Sequence, residues 1–587
     1  MVTETSGDHE VAGTTARAGT DLLRARPVTL LLAVAAGAAL WAAFPDVGAW
    51  PLAFVFAALL HTALRREGRR AAGWNALVGL VAALTFWLPH IWWANFATDT
   101  VPWVALAAVE SAFLAGFGAL WTWARRARFL RLDTARGPWG RARRTIAHAA
   151  AFALLFVAVE QWRSEVPFGG FPWGRLAWTM VDAPTGRAAW LGGTTLVTFL
   201  VAWVGVLGAL LVTHLITRLV TLRRAGHTPA RHAAGPLAVV TATALLALLG
   251  PALLPLPSGT TPPTPVATAD LDTTVVDAGT STHETAGAPL LAGAVQGNVT
   301  EPGLGSFANR AEVLNNHLRG TYELAARDAD LDVVLWPENG SDLDPQEADD
   351  VAAALDDAAS AVDAPILVGA QEYPETGGRY NVSLLWQDGQ GVIDRYAKQH
   401  PAPFGEYIPI RGFVRLFSDQ VDRVTNDMLP GTEPAVVELP RTDGASVPMA
   451  TVICFEVAYD EIVRDAVLRG AQVLVVPTNN ASFGNTAEST QQLAMTRMQA
   501  MTTGRAAVQI STVGVSGVVA PDGSLVARTD LFTADQIVAE LPLRTSLTPA
   551  VRAGYWPGWV AGGAAVALVV AGCWAALRER RVVEEDE

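Results

Sequence analysis

The chain has 587 residues, 51% hydrophobic and only 17% charged, with a mean hydropathy of +0.28. Soluble globular chains carry about 25% charged residues, so a purely soluble protein is excluded and much of this one is assigned to lipid. A net charge of -14 excludes nucleic acid as a partner.

Residues 1–26 are polar and contain Gly, Thr and Arg, the composition of a cytoplasmic tail without fixed structure. Apolar runs follow at about 27–45, 51–64, 73–93, 102–123, 145–161, 189–216 and 235–256, with a last one at about 557–577. Most reach the roughly 20 residues that cross a hydrocarbon core; the second is short. Arginine marks alternate loops. Arg65, Arg66, Arg69 and Arg70 follow the second run, and eight arginines between 125 and 144 follow the fourth. Arg218, Arg223, Arg224 and Arg231 follow the sixth, and Arg578, Arg580 and Arg581 the eighth. Basic loops stay inside, which predicts two cytoplasmic termini and an extracytoplasmic segment between the seventh and eighth spans. The opposite loops carry Trp87, Trp92, Trp93, Trp103, Trp162 and Trp173. Interfacial anchoring accounts for most such residues, and Gly170-Phe171-Pro172-Trp173 is also suited to lining a lipid-facing cavity.

Residues 257–288 are rich in Pro, Thr, Asp and Ala without apolar period, and read as a linker. Strand-like apolar runs then appear at 290–295, 333–336, 366–369, 383–386, 449–454, 473–476, 507–512 and 517–519. Helical patterns intervene at about 308–328, 346–362, 459–469 and 488–504. The alternation predicts a layered α/β domain with a mixed sheet. The expected organisation is a tail (1–26), a bundle of about seven spans (27–256), the linker (257–288), an extracytoplasmic α/β domain (289–545), and a last span with a cytoplasmic tail (546–587).

Three strand ends carry reactive groups. Trp336-Pro337-Glu338 stops a buried strand with a carboxylate, and Ile453-Cys454-Phe455-Glu456 ends another in a thiol. Between them lies Lys398, the only lysine of the chain, followed by Pro403-Phe404-Gly405-Glu406-Tyr407. A thiol becomes a strong nucleophile when a neighbouring carboxylate takes its proton. A tetrahedral oxyanion needs a positioned donor, and an ammonium supplies one. Glu338 as base, Cys454 as nucleophile and Lys398 as oxyanion donor fill these roles. His317 and His400 read as surface or packing residues. No His/Cys cluster has metal-ligand spacing and no glycine-rich loop has P-loop form, so neither metal nor cofactor is expected.

Residues 290–540 resemble the carbon–nitrogen hydrolase (nitrilase) superfamily, and the whole chain resembles its membrane branch, the apolipoprotein N-acyltransferase family. The matching residues are Gln296-Gly297-Asn298, Trp336-Pro337-Glu338, Lys398 with Pro403 to Tyr407, Ile453 to Glu456, Asn479 to Gly484, Arg497-Met498, Gly504-Arg505 and Gly170 to Trp173. The resemblance implies a multi-span bundle plus an α-β-β-α sandwich with a Glu–Lys–Cys triad. It also implies a reaction in which Cys454 takes an acyl group from a phospholipid as a thioester. The α-amino group of a diacylglyceryl-cysteine lipoprotein then receives it. Glu406 and Glu456 match accessory carboxylates of that family. Phe455 stands where tyrosine is frequent, Ser482 where some members have tryptophan, Asn480 where some have aspartate, and Pro401-Ala402 in place of larger apolar residues. Trp336, Tyr407, Phe413, Phe417 and Phe483 are expected to face lipid substrate, the two middle phenylalanines from an amphipathic arm at 408–417. Two other readings remain: a membrane-tethered amidase using water, and a silent scaffold for a partner enzyme.

Overall fold

A computed structural model describes residues 25–586 except 69, 226–233, 258–273, 280–287, 300–309, 328, 417–420, 423 and 442–443. All but the last two residues of the expected N-terminal tail lie outside these.

The first half is helical: α1 (Arg26–Ala43), α2 (Pro51–Ala63), α3 (Ala71–His90), α4 (Trp92–Thr98), α5 (Thr100–Ala124), α6 (Gly137–Arg163), α7 (Ala189–Ala225) and α8 (Ala234–Leu249). Proline occupies the first turn of α1, α2 and α6, where its missing N–H would have no partner in any case. Among the described residues the eight apolar runs become seven helices long and apolar enough to cross a membrane, plus α2. At 13 residues, α2 spans only about 20 Å at 1.5 Å per residue. Small residues let α3 and α5 meet closely. A Cβ on Gly79 would lie 2.2 Å from Leu114 O, and one on Gly118 would lie 2.2 Å from Asn75 O. Asn75 Nδ2 donates to Thr122 Oγ1 at 2.7 Å across the same contact.

The second half is a sandwich. In chain order it runs β1 (Val275–Asp277), β2 (Leu290–Gln296), α9 (Arg310–Ala325), β3 (Val333–Leu335), α10 (Asp349–Val362), β4 (Ile366–Glu372), β5 (Tyr380–Gln387), β6 (Gly391–Ala397), the one-turn α11 (Arg411–Val414), β7 (Val436–Pro440), β8 (Ser446–Thr451), α12 (Asp460–Leu468), β9 (Val473–Thr478), α13 (Glu488–Thr503), β10 (Ala507–Ser511), β11 (Gly517–Val519), β12 (Leu525–Arg528) and β13 (Asp535–Leu541). Then α14 (Pro549–Ala553) leads into α15 (Trp556–Asp586), the last long apolar helix.

One sheet has the order β1-β13-β2-β3-β4-β5-β6 and the other β12-β11-β10-β9-β8-β7. Both mix parallel and antiparallel pairs, as the sequence predicts. The period-two alternation of strands sorts their side chains. Val333 and Leu335 join Met449 and Val473 between the sheets, whereas Val334 and Trp336 join Leu314, Leu355 and Ala358 under the helices. Two expectations change. The linker contains β1, which pairs in parallel with β13, so the first sheet starts inside it. The arm expected over 408–417 is helical only in α11, and Phe417 lies outside the described residues.

Candidate active site

Glu338 follows β3 after Pro337, in a turn packed so tightly on β4 that a Cβ on Gly369 would meet Pro337 O at 2.2 Å. One carboxylate oxygen accepts from Asn381 Nδ2 at 2.6 Å and from Lys398 Nζ at 3.3 Å. The other accepts from Asn479 N at 2.8 Å. Lys398 stands at the end of β6, fully buried, and also donates to Glu406 at 2.7 Å. Glu406 is fixed in turn by the Ala402 N–H at 2.6 Å. An ammonium has three hydrogens, so one remains to point at a reacting oxygen.

Cys454 opens a single 3-10 turn (Cys454–Ala458) after β8, with φ 54°. That left-handed conformation is costly for a residue with a Cβ and marks a sharp strand-to-helix elbow. Thr478 Oγ1 lies within hydrogen-bond reach of Cys454 Sγ, at 3.3 Å. Thr478 precedes Asn479, whose N–H holds Glu338, so the ends of β3, β6, β8 and β9 converge on one buried point. Glu456 braces the elbow. It accepts from Ile453 N at 2.9 Å, Gln399 N at 2.7 Å, His400 N at 3.1 Å and Tyr396 Oη at 2.9 Å. The segment after Lys398 and the segment around Cys454 therefore share one carboxylate.

Burial is the largest influence on Lys398, Cys454 and Glu456. It pulls the Lys398 ammonium down, but the charges of Glu338 and Glu406 outweigh it and hold the group well above its ordinary range. It pushes the Cys454 thiol well up, with Glu338 adding and Lys398 opposing. The resting sulfur is a neutral thiol, and its proton has to leave as the sulfur attacks. Burial also pushes Glu456 up to about 7 against the pull of Lys398.

Around the sulfur the two halves of the chain interlock. Phe455 packs on Trp173 and Trp93 of the bundle, with ring centroids 4.8 and 5.8 Å away, and on Phe483 at 5.9 Å. Trp93 and Trp173 both donate their indole N–H to Gln491 Oε1 on α13, at 3.3 and 2.7 Å. Gln491 Nε2 returns to His90 O at 3.1 Å. Beside them, Asp460 at the start of α12 binds Arg175 at 2.8 Å, Thr194 at 2.5 Å and Gln499 at 2.8 Å.

The structure thus brings Glu338, Lys398, Cys454, Glu406, Glu456, Phe455 and Phe483 together. Tyr407 is half-buried in the loop after Lys398, and Phe413 is exposed on α11. Trp336 is a correction. Strand parity turns it away from Cys454, under α9, where its indole donates to Thr321 at 2.9 Å. The anchoring expected of Trp87, Trp93 and Trp173 is a second correction: all three are buried in the protein, whereas Trp103 is half-buried and Trp92 and Trp162 are exposed. Sequence reasoning did not find Asn381, Thr478, Gln491 or Glu488. A polar residue inside an apolar strand was the one available signal for Asn381 and Thr478. Among the described residues no three His, Cys, Asp or Glu side chains form a metal site.

Residues 36–207 match the family described as the apolipoprotein N-acyltransferase N-terminal domain, and residues 291–547 match carbon-nitrogen hydrolase. The apolipoprotein N-acyltransferase of Mycolicibacterium smegmatis is 35% identical over 541 residues, 90% of this chain and 82% of that one. The chain belongs to the apolipoprotein N-acyltransferase family. A second relative of that name, from Azotobacter vinelandii, is 31% identical over 564 residues, 94% of this chain and 95% of that one. An amidase from Nesterenkonia sp. aligns at 17% identity and TM-score 0.32, covering 44% of this chain and 92% of that one. Membership makes the protein a multi-pass bacterial membrane acyltransferase, with the carbon–nitrogen hydrolase match spanning both sheets apart from β1.

Proposed function

We propose that the protein moves a fatty acyl group from a phospholipid to the α-amino group of a diacylglyceryl-cysteine lipoprotein through a thioester on Cys454. The observation that carries this reading is the convergence of Glu338, Lys398 and a buried neutral Cys454 under an aromatic cluster to which the bundle contributes Trp93 and Trp173. In the first step the sulfur attacks the ester carbonyl carbon and its proton passes to Glu338. Lys398 stabilises the oxyanion, a contribution on the order of 10²–10³ in rate. The ester C–O bond breaks, and the lysophospholipid oxygen takes the proton from Glu338. In the second step the amine attacks the thioester, Glu338 takes a proton from nitrogen, and the C–S bond breaks. The leaving sulfur recovers the proton. Glu406 orients Lys398, Glu456 holds the elbow, and Phe455 and Phe483 face the acyl chain. Tyr407 and Phe413 border the lipid entrance.

The arginine-rich loops support cytoplasmic termini and an extracytoplasmic α/β domain between the bundle and the last span. Substrates that stay in the bilayer give the eight-helix bundle a purpose that tethering a hydrolase would not require. The test is discharge: protein preloaded with radiolabelled phospholipid acyl chain is mixed with a diacylated lipopeptide. The label moves to the peptide amine if the reading holds. Release as free fatty acid at the same rate with or without peptide indicates a hydrolase instead.

A further inference from the structure

Thr478 closes β9, and its hydroxyl lies between two acceptors, Cys454 Sγ at 3.3 Å and Gln492 Oε1 at 2.9 Å. A hydroxyl has one hydrogen, so it serves one of them at a time. Gln492 Oε1 has a second donor. Asn480 Nδ2 gives it one hydrogen at 3.0 Å and gives the other to Glu488 Oε2 at 2.6 Å. Asn480 is itself oriented by Ser511 Oγ, which donates to its Oδ1 at 2.5 Å. All four side chains, Thr478, Asn480, Glu488 and Gln492, are buried. When Thr478 turns away from Gln492, the amide oxygen keeps the Asn480 hydrogen and is not left bare in an apolar setting.

We propose that Thr478 is a further catalytic residue whose hydroxyl hydrogen turns from Gln492 Oε1 to Cys454 Sγ as the thiol loses its proton. Asn480 and Glu488 are positioning residues that hold Gln492 in place for this turn. Hydrogen bonds to an anion are stronger than those to a neutral amide, so the turn is favoured only while sulfur carries charge. In each step the sulfur proton goes to or comes from Glu338, and the Thr478 hydrogen stays on its own oxygen. The charged sulfur is the attacking atom in the first step and the leaving atom in the second, so one hydroxyl serves both. A thioester sulfur accepts weakly, and in the acyl-enzyme the hydrogen returns to Gln492. Burial pushes Glu488 up to about 8 despite the Asn480 bond, which keeps a second negative charge away from the sulfur near neutral pH.

The inference rests on Cys454 as nucleophile, and its test reads the thiol without turnover. The groups whose charges reach Cys454 are Glu338, Lys398 and Glu488, and all three stay in the variants. Full-length protein in detergent is alkylated with iodoacetamide across pH, and modification at Cys454 is followed by peptide mass. Thr478→Val is expected to raise the midpoint by about 1–2 pH units, and Thr478→Ser to restore it. Gln492→Leu, which removes the competing acceptor, is expected to lower it. An unchanged midpoint in Thr478→Val overturns the proposal, as does a Gln492→Leu shift in the same direction as Thr478→Val. Retained acyl transfer by Cys454→Ala would instead remove the thioester reading and leave these shifts as they are.

Discussion

Glu338, Lys398 and Cys454 each stand within three residues of a strand end, while Trp93, Trp173 and Gln491 come from the short helix α4, a bundle loop and α13. The first group is held by short local devices: a proline stop, a positive φ, and backbone N–H groups on carboxylates. The second group exists only where the two halves of the chain touch, through an amide that two indoles share. The Glu338–Lys398–Cys454 cluster is built by the α/β domain alone. The aromatic surroundings of the sulfur are made jointly with the bundle. Substitutions in the two groups should therefore fail differently, and that difference can be measured.

The largest loss is expected from Glu338→Gln. It removes the proton acceptor but keeps the shape, and acyl-enzyme formation should fall by about 10²–10⁴ with little change in melting temperature. Single-turnover labelling with fluorescent phospholipid measures it. Lys398→Arg should lose on the order of 10²–10³. A planar guanidinium cannot stand in for a compact ammonium between Glu338 and Glu406, and the same assay reads it. Equal losses from both, with an equally lowered melting temperature, would mean that the cluster is structural.

Gln491→Leu probes the other group. It leaves the Trp93 and Trp173 indole N–H groups buried without their acceptor, at a cost of about 1–3 kcal/mol. A lowered melting temperature in detergent is expected, with the iodoacetamide reactivity of Cys454 retained. Loss of that reactivity would break the division between chemistry and surroundings.

The remaining effect is on pH dependence. In the folded protein Glu488 titrates at about 8 against 4.5 for an ordinary glutamate. Between those values the folded state holds a proton that the unfolded chain has released. Stability from this group is full below pH 4.5 and declines as pH rises towards 8. Glu488→Gln should remove that decline, so its melting temperature should gain on the wild type from pH 5 to pH 9. A constant difference across that range would contradict the burial argument.

Much of this was legible in the sequence because the decisive signals were local. Charge-poor runs of about 20 residues, arginine in alternate loops, and Pro337 or Cys454 closing an apolar strand all lie within single segments. The strands β6, β7, β12 and β13 were not found, since Asp394, Glu438 and Glu540 interrupt the apolar character of β6, β7 and β13, and β12 is only four residues long. β1 was hidden in a stretch whose composition reads as linker. Trp336 was misplaced because proximity in sequence to Glu338 says nothing of which sheet face a side chain takes; parity does. The shared acceptor Gln491 lies 398 and 318 residues from its two indoles, and no spacing rule connects them.

The central claim is that Cys454 carries the acyl group between donor and acceptor. Intact mass and peptide mapping of protein incubated with phospholipid vesicles test it directly. A hydroxylamine-labile fatty acyl adduct on the Cys454 peptide, absent from Cys454→Ala, is the predicted result. Undiminished transfer to lipopeptide by Cys454→Ala, with no adduct on the wild-type thiol, would contradict it.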